Sequence, residues 1–315
     1  MNKVPMRDGY GQALLKLIEK NNNVIAMDAD VSKSTRTEWV RKKYPDNFIN
    51  MGISEQDMLG TAAGLALGGM IPFATTYCVF LAGRAWDQIR TTVCYNQLNV
   101  KLAGAHAGIS VGPDGATHQS LEDVALMRVL PHMTVIVPCD AIETEKATIA
   151  IADREGPCFI RFGREAVPVI TNLETEFQIG KANVMRGGTD VVLFANGGMV
   201  HEGLQAAERL AKEGIELKVV NLHTVKPLDV ESVILFALQT GAVVTAEEHQ
   251  IHGGMGSAVA ECLIQHAPVP MQIVGIRDTL GESGKPEQLM NKYGLSVEDI
   301  CDAVRKVNRK KGEAR

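Results

Sequence analysis

The stretch Asn50-Met-Gly-Ile-Ser-Glu-Gln-Asp-Met58 leads from a short apolar run into an alanine- and glycine-rich segment that continues to Leu67. This pattern predicts a strand followed by a helix, with Glu55 in the first turn of the helix. A carboxylate there interacts favourably with the helix dipole, and Ser54 with Asp57 fits a capping box. The residues alone therefore leave two roles open for Glu55, one in helix capping and one in proton transfer.

Apolar strand-like runs alternate with helical patterns on both sides of this stretch, which is typical of parallel sheets covered by helices on both faces. In the first part we expect strands at residues 24–27, 47–51, 70–75, 100–104, 133–137 and 157–162. The pattern restarts with strands at residues 190–194, 217–221, 243–246 and 272–276. We predict an α/β protein with two tandem three-layer α/β/α domains and mostly parallel sheets, residues 1–170 and 189–315, joined by a polar linker over residues 171–188.

Composition narrows the class of protein. A chain of 315 residues with 45% hydrophobic but only 5% aromatic residues suits two ordinary α/β domains. The formal charge of −5 argues against a nucleic-acid partner. The six cysteines have neither metal nor redox spacing, which favours reduced thiols. Since we find neither a membrane-spanning apolar segment nor a signal peptide, we expect a cytoplasmic protein.

A second motif, Asp114-Gly-Ala-Thr-His-Gln119, ends a loop that begins near His106. Three glycines interrupt any helix in this loop, and loops at the edges of parallel sheets carry binding sites. On the residues alone, His106, Asp114 and His118 are as compatible with ordinary turns as with a binding site.

In this order, the two motifs resemble the pyrimidine-binding part of transketolases, a family of thiamine-diphosphate enzymes. The resemblance implies the thiamine-diphosphate-binding fold and a glutamate, Glu55, that bonds N1′ of the cofactor's aminopyrimidine. It also implies that aromatic side chains stack on this ring. Three aromatics lie within Pro72-Phe-Ala-Thr-Thr-Tyr-Cys-Val-Phe80, and the register of the following residues assigns Tyr77 and Phe80 to the ring but leaves Phe73 in doubt.

The same resemblance implies the substrate contacts. His106 and His118 are expected to contact the oxygens of the reacting carbonyl and its neighbouring hydroxyl, where imidazoles can exchange protons, so we also predict them as catalytic. Asp114 is expected to contact a hydroxyl farther along the sugar.

For the phosphate end of a sugar phosphate, the resemblance implies Arg164, Arg7 and Ser34. A guanidinium suits this role because it offers bidentate, charge-assisted hydrogen bonds. Arg161 competes with Arg164 for the position that follows the strand.

The second domain contains Glu247-Glu-His-Gln-Ile-His-Gly-Gly-Met-Gly256. The pair His249 and His252 lacks the further ligands that zinc requires, and the glycines lack a dinucleotide-binding register. The resemblance implies a second domain like the transketolase C-terminal domain, which builds a dimer interface, with His249 near the entrance of the site.

One half of a transketolase site is missing. These enzymes hold the diphosphate through a divalent metal bound at a Gly-Asp-Gly segment, and this sequence contains none. Because the resemblance covers nearly the whole sequence, we expect the C-terminal subunit of a split transketolase. It would bind thiamine diphosphate with an N-terminal subunit that supplies every Mg²⁺ ligand, in an α2β2 heterotetramer. The expected reaction transfers a two-carbon ketol unit from a ketose phosphate to an aldose phosphate.

Three alternatives stay open. A 1-deoxyxylulose-5-phosphate synthase-like subunit shares the Thr-His-Gln loop, but its aromatic spacing is one residue shorter. A 2-oxoacid dehydrogenase β-like subunit shares the fold and the His-x-x-Gly-Gly pattern but not the Asp-Gly-x-Thr-His-Gln loop. The third alternative, a non-catalytic regulatory homologue, disagrees with the joint presence of Glu55, Phe80 and His118.

Overall fold

The computed structural model describes residues 2–313. The first part of the chain forms eight strands, because apolar runs of strand length recur between helical segments. They are β1 (Lys3–Pro5), β2 (Val24–Asp28), β3 (Phe48–Asn50), β4 (Ile71–Tyr77), β5 (Lys101–Ala105), β6 (Thr134–Ile136), β7 (Cys158–Arg161) and β8 (Ala166–Pro168). Six of them, in the order β6-β7-β5-β4-β2-β3, pair in parallel.

Helices return the chain to the same edge of this sheet, as parallel pairing requires. They are α1 (Met6–Lys20), α2 (Ser32–Thr35), α3 (Glu38–Lys43), α4 (Glu55–Leu67), α5 (Cys78–Arg84), α6 (Asp123–Arg128) and α7 (Ala141–Ala152). A π-helical turn at Gln88–Cys94 and 3-10 turns at Pro45–Asn47 and Ile109–Asp114 complete this part. The apolar faces of the helices bury cores on both faces of the sheet.

The second part repeats this architecture. Its strands are β9 (Asn183–Arg186), β10 (Val191–Ala195), β11 (Leu217–Asn221), β12 (Thr224–Lys226), β13 (Val243–Gln250) and β14 (Met271–Ile276). Its helices are α8 (Met199–Ala211), α9 (Val230–Thr240), α10 (Met255–His266), α11 (Pro286–Lys292) and α12 (Val297–Glu313). The sheet has the order β14-β13-β10-β11-β9, in which only the edge strand β9 is antiparallel.

Four short strands were not predicted from the sequence pattern: β1 and β8, which pair with each other, β9 and β12. Strand β9 lies within the expected linker and yet pairs with β11. Strand β12 belongs to the second part of the chain but pairs antiparallel with β6 of the first sheet, so that Thr224 lies opposite Ile136. The first sheet therefore contains a seventh strand from the second part. The prediction of two tandem α/β domains with mostly parallel sheets is confirmed.

Candidate functional site

The candidate site lies where the carboxyl ends of the parallel strands β2, β3, β4, β5 and β7 meet one edge of the first sheet. Ligands of open α/β sheets bind at this edge, because the loops after the strands converge there. Direct contacts join six of the predicted residues: Arg7, Ser34, Tyr77, Phe80, His106 and His118. Glu55 is joined to them through Arg84, and Asp114 and Arg164 form a separate pair.

Glu55 is the first residue of α4, and only 1% of its side chain is exposed. Arg84 donates a hydrogen bond of 2.9 Å to Oε2, the one hydrogen bond to this carboxylate among residues 2–313. The predicted capping box is wrong: the side chain of Ser54 makes no cap bond, and its hydroxyl donates to the carbonyl of Met51. A buried carboxylate with an acceptor oxygen to spare is thus held at the edge of the sheet.

Four rings form a continuous wall near Glu55. The centroids of Tyr77 and His106 lie 4.4 Å apart, and those of Phe80 and His118 lie 5.2 Å apart in an edge-on arrangement. Tyr77 and Phe80 are 6.2 Å apart. Phe73, by contrast, is fully buried in the core, where its ring centroid lies 6.4 Å from that of Tyr10, so it does not belong to the wall.

The Glu55 carboxylate and this wall are linked by Arg84, which the sequence analysis did not assign to the site. Its guanidinium carbon lies 4.4 Å from the centroid of Phe80 while the same group donates to Glu55. A cation on an aromatic face is attracted by the ring quadrupole. The available signal was the spacing of Phe80 and Arg84, four residues apart on one helical face.

His106 follows β5 in a left-handed backbone conformation, with φ of 58°. Its ring is buried, and Nδ1 has no hydrogen-bond partner among the described residues. Burial, together with the nearby cations Arg7 and Arg164, lowers the pKa of His106 from 6.5 to about 3. The imidazole is therefore neutral at physiological pH, with a ring nitrogen left for a ligand.

Ser34 contacts both the ring wall and the cation Arg7. Its hydroxyl accepts a hydrogen bond of 3.1 Å from the Tyr77 hydroxyl, and its carbonyl accepts one of 3.0 Å from Arg7. Burial and the neighbouring Arg36 lower the pKa of Arg7, whose Nε has no partner among residues 2–313. A cation that still has a donor to offer suits an anionic ligand.

Arg164 and Asp114 contact each other at 3.1 Å, and Arg164 also donates to the carbonyl of Val111. Arg161, the competing candidate, is buried and donates to Asp123 at 2.6 Å. Burial lowers the pKa of the Arg161 guanidinium, but the attraction of the Asp123 carboxylate raises it by more, so the pKa of Arg161 is raised overall. Arg161 is committed to this internal ion pair, so Arg164 is the arginine that remains for a ligand.

A buried acid, Asp28, holds the segment that carries Ser34. Its carboxylate accepts hydrogen bonds from the hydroxyls of Thr35 and Thr37, at 2.9 and 2.7 Å, and from the backbone amide of Val31. Burial raises the pKa of Asp28, and these donors oppose that rise. An acid at the end of an apolar strand is the signal that could have identified Asp28 from the sequence.

The histidine and glycine motif of the second domain makes internal contacts. His249 is fully buried and its Nε2 accepts from the backbone amide of Ala125, so the expectation that it lies at the site entrance is wrong. The carboxylate of Glu247 accepts from the amides of Met255 and Gly256, both at 2.8 Å, and thereby occupies the start of α10. Among residues 2–313, no group of three or more His, Cys, Asp or Glu could hold a metal ion.

Comparison with known proteins defines the class. The chain matches the family model of the transketolase pyrimidine-binding domain over residues 2–169 and that of the transketolase C-terminal domain over residues 180–300. It belongs to the transketolase family. The resemblance to the C-terminal section of a transketolase is therefore confirmed. No helix in the described part of the chain is long and apolar enough to cross a membrane.

Two relatives match the chain over almost their whole length, and a third over about half of its length. The chain is 42% identical to the 6-deoxy-6-sulfo-D-fructose transketolase subunit SqwH of Clostridium sp. (strain MSTE9), covering 97% of this chain and 95% of the relative. It is also 42% identical to a putative transketolase C-terminal section of Methanocaldococcus jannaschii, over 95% of each chain. It covers 49% of human transketolase, at 37% identity.

A solved structure agrees with this assignment. It is described as a split gene transketolase, inactive beta4 tetramer, and is 47% identical to the chain. The two structures superpose with a TM-score of 0.92 over 98% of this chain and 99% of the other.

The geometry fits one part of thiamine diphosphate. The spare Oε1 of Glu55 can accept a hydrogen bond from a ring nitrogen, and the side chains of Tyr77 and Phe80 can stack on a flat ring. These contacts fit the aminopyrimidine end of the cofactor.

Proposed function

We propose that the chain is the C-terminal subunit of a two-chain transketolase that binds thiamine diphosphate and Mg²⁺ between itself and an N-terminal subunit. The proposed reaction is transfer of a two-carbon ketol unit from a ketose phosphate to an aldose phosphate. The observation that carries the proposal is the buried Glu55 carboxylate, with one oxygen to spare, beside a wall of aromatic side chains.

The roles of the residues follow from their chemistry. When bound, thiamine diphosphate supplies the nucleophilic carbon that breaks and re-forms the sugar's carbon–carbon bond. Glu55 shares a proton with N1′ of the pyrimidine, and Tyr77 and Phe80 orient that ring. Neutral His106, together with His118, bonds the substrate oxygen whose charge changes during the reaction, and preorganised donors of this kind stabilise such charge.

The distal end of the substrate is proposed to be anionic. Arg7 and Arg164 lie near His106, where their charges lower its pKa, and Arg7 contacts the Ser34 segment. Among the relatives, one is named for 6-deoxy-6-sulfo-D-fructose and another, from Phocaeicola vulgatus, for apulose 4-phosphate. A sulfonate and a phosphate offer the same oxygen acceptors to guanidinium groups, so both belong in the substrate panel.

The need for a second subunit is supported from two directions. The described residues lack a metal-binding group for the diphosphate, and the split-gene relative is described as an inactive tetramer of its β chain. We propose an α2β2 heterotetramer in the cytoplasm, with the N-terminal subunit providing the metal ligands.

The test is reconstitution with a separately produced N-terminal subunit, thiamine diphosphate and Mg²⁺. Donors would be xylulose 5-phosphate, 6-deoxy-6-sulfofructose and pyruvate, each with an aldose phosphate acceptor. We expect ketol transfer only when both chains are present, and a fall of roughly 10²- to 10⁴-fold for Glu55→Gln.

Asp57→Asn is the matched control, because Asp57 is an exposed acid in the same first turn of α4. It should retain wild-type turnover. Turnover by this chain alone, or full activity of Glu55→Gln, would contradict the proposal, whereas condensation of pyruvate would favour the synthase-like alternative.

A further inference from the structure

The end of β13 connects the second domain to the loops of the candidate site through three successive residues. Glu248 Oε1 accepts the backbone N–H of Ser110 at 2.5 Å, and His249 Nε2 accepts that of Ala125 at 3.3 Å. The N–H of Gln250 donates to the carbonyl of Leu121 at 2.7 Å. The end of β13 therefore bonds the first domain through the side chains of Glu248 and His249 and through the backbone of Gln250.

The loop that bonds to Glu248 is the one that carries His106, Asp114 and His118. A Cβ atom added to Gly108 would lie 2.2 Å from Oε1 of Glu248, and Gly108 itself has φ of +87°. No other residue type fits this close approach in that conformation. The carboxylate therefore lies directly against the backbone of the loop, between His106 and Ser110.

A second contact with the second domain holds the far end of the same loop. The side-chain amide of Gln119 donates to the carbonyl of Glu282 at 2.9 Å and to the carbonyls of Ile109 and Gly112 within the loop. A Cβ at Gly281 would lie 1.8 Å from Oε1 of Gln119, so the second domain closes tightly around this side chain. Both ends of the loop are tied to the second domain.

From this geometry we propose that Glu248 is a positioning residue for the substrate: the second domain sets the place of His106, Asp114 and His118 through the Glu248–Ser110 bond. The inference rests on the proposed function only for the identity of the substrate. It assigns a role in substrate geometry to a domain that would otherwise serve assembly alone.

The test compares variants at one position. Glu248→Gln keeps an acceptor oxygen for the Ser110 amide, while Glu248→Met keeps the length of the side chain and removes the acceptor. Hydrogen exchange of the full chain should show the Ser110 amide exchanging roughly ten- to a hundredfold faster in Glu248→Met, with Glu248→Gln near wild type.

In the two-chain enzyme, Glu248→Met should lower kcat/KM for the ketose by about tenfold or more, because small displacements of positioned groups are costly, and leave the affinity for thiamine diphosphate unchanged. Glu248→Gln should restore activity. If the wild-type complex itself has no turnover, the proposed function fails, and the exchange comparison still decides whether Glu248 holds the loop.

Glu143→Met is the control for a general loss at the domain interface. Glu143 is another buried acid that bridges the domains, accepting from Cys139 N–H and from the side-chain amide of Asn221 at 2.7 and 2.8 Å. It should leave exchange of the loop unchanged. Equal exchange of the loop amides in Glu248→Met and wild type would overturn the inference, and so would a Glu143→Met variant that changes loop exchange as much as Glu248→Met does. If Glu248→Met does not fold, Gln119→Met tests the second contact between the loop and the second domain by the same measurements.

Discussion

Replacement of His106 by Asn should make the protein less sensitive to acid. The folded chain holds the pKa of His106 near 3, below its ordinary 6.5, because the ring is buried beside cations. Below pH 6.5 the unfolded chain therefore binds a proton that the folded chain does not, so stability falls as pH falls. Between pH 7.5 and pH 5.0 this single group costs about 2 kcal/mol, from about 1.36 kcal/mol per unit of pH below 6.5.

Asn is the appropriate substitution because it tolerates the left-handed conformation that His106 adopts, with φ of 58°. Urea unfolding of wild type and His106→Asn at pH 7.5, 6.5 and 5.0 gives the free energy of unfolding for each. All other titrating groups are common to the two proteins, so the difference between them should shift by about 2 kcal/mol in favour of the variant as the pH falls. A constant difference across this range would refute the assignment of a neutral, buried His106.

Four further substitutions distinguish residues of the candidate site from residues of the core. Tyr77→Leu should weaken thiamine diphosphate binding by the two-chain enzyme by about 2- to 10-fold, the equivalent of 0.5–1.5 kcal/mol of ring stacking, and calorimetric titration measures this. Phe73→Leu should leave that affinity unchanged but lower the melting temperature, since its ring is fully buried against the core. Asp123→Ala should destabilise the fold by about 3–5 kcal/mol in urea, because it leaves buried Arg161 without its partner. Arg164→Lys should raise KM for the anionic sugar with little change in kcat, and equal loss with a neutral sugar would exclude contact with the anion.

The alternation of short apolar strands and helices predicted both domains, since each element depends on residues close in sequence. Contacts between distant segments were not predicted. Strand β12 joins the sheet of the other domain, and His249 lies under α6 and not at an entrance. The capping box at Ser54 does not form because the Ser54 hydroxyl donates to the carbonyl of Met51.

The candidate site divides in the same way. Glu55, Tyr77 and His118 could be selected from the sequence because the short motifs around them resemble those of transketolases. The order of the strands, which brings these ends to one edge, is a tertiary property, as is the contact of Arg84 with both Glu55 and Phe80. The roles of these residues in catalysis remain predictions.

The amino-acid order determined the family, the two α/β domains and the residue types available for chemistry, because periodicity and short motifs are local properties of a chain. Tertiary structure decided which of those residues meet, which arginine is buried in an internal ion pair, and how the second domain contacts the loop that carries His106, Asp114 and His118. Arg161 and Arg164 are the same residue type three positions apart, yet one is buried with Asp123 and the other faces Asp114. Burial and distance between remote segments, which no local pattern encodes, make that difference.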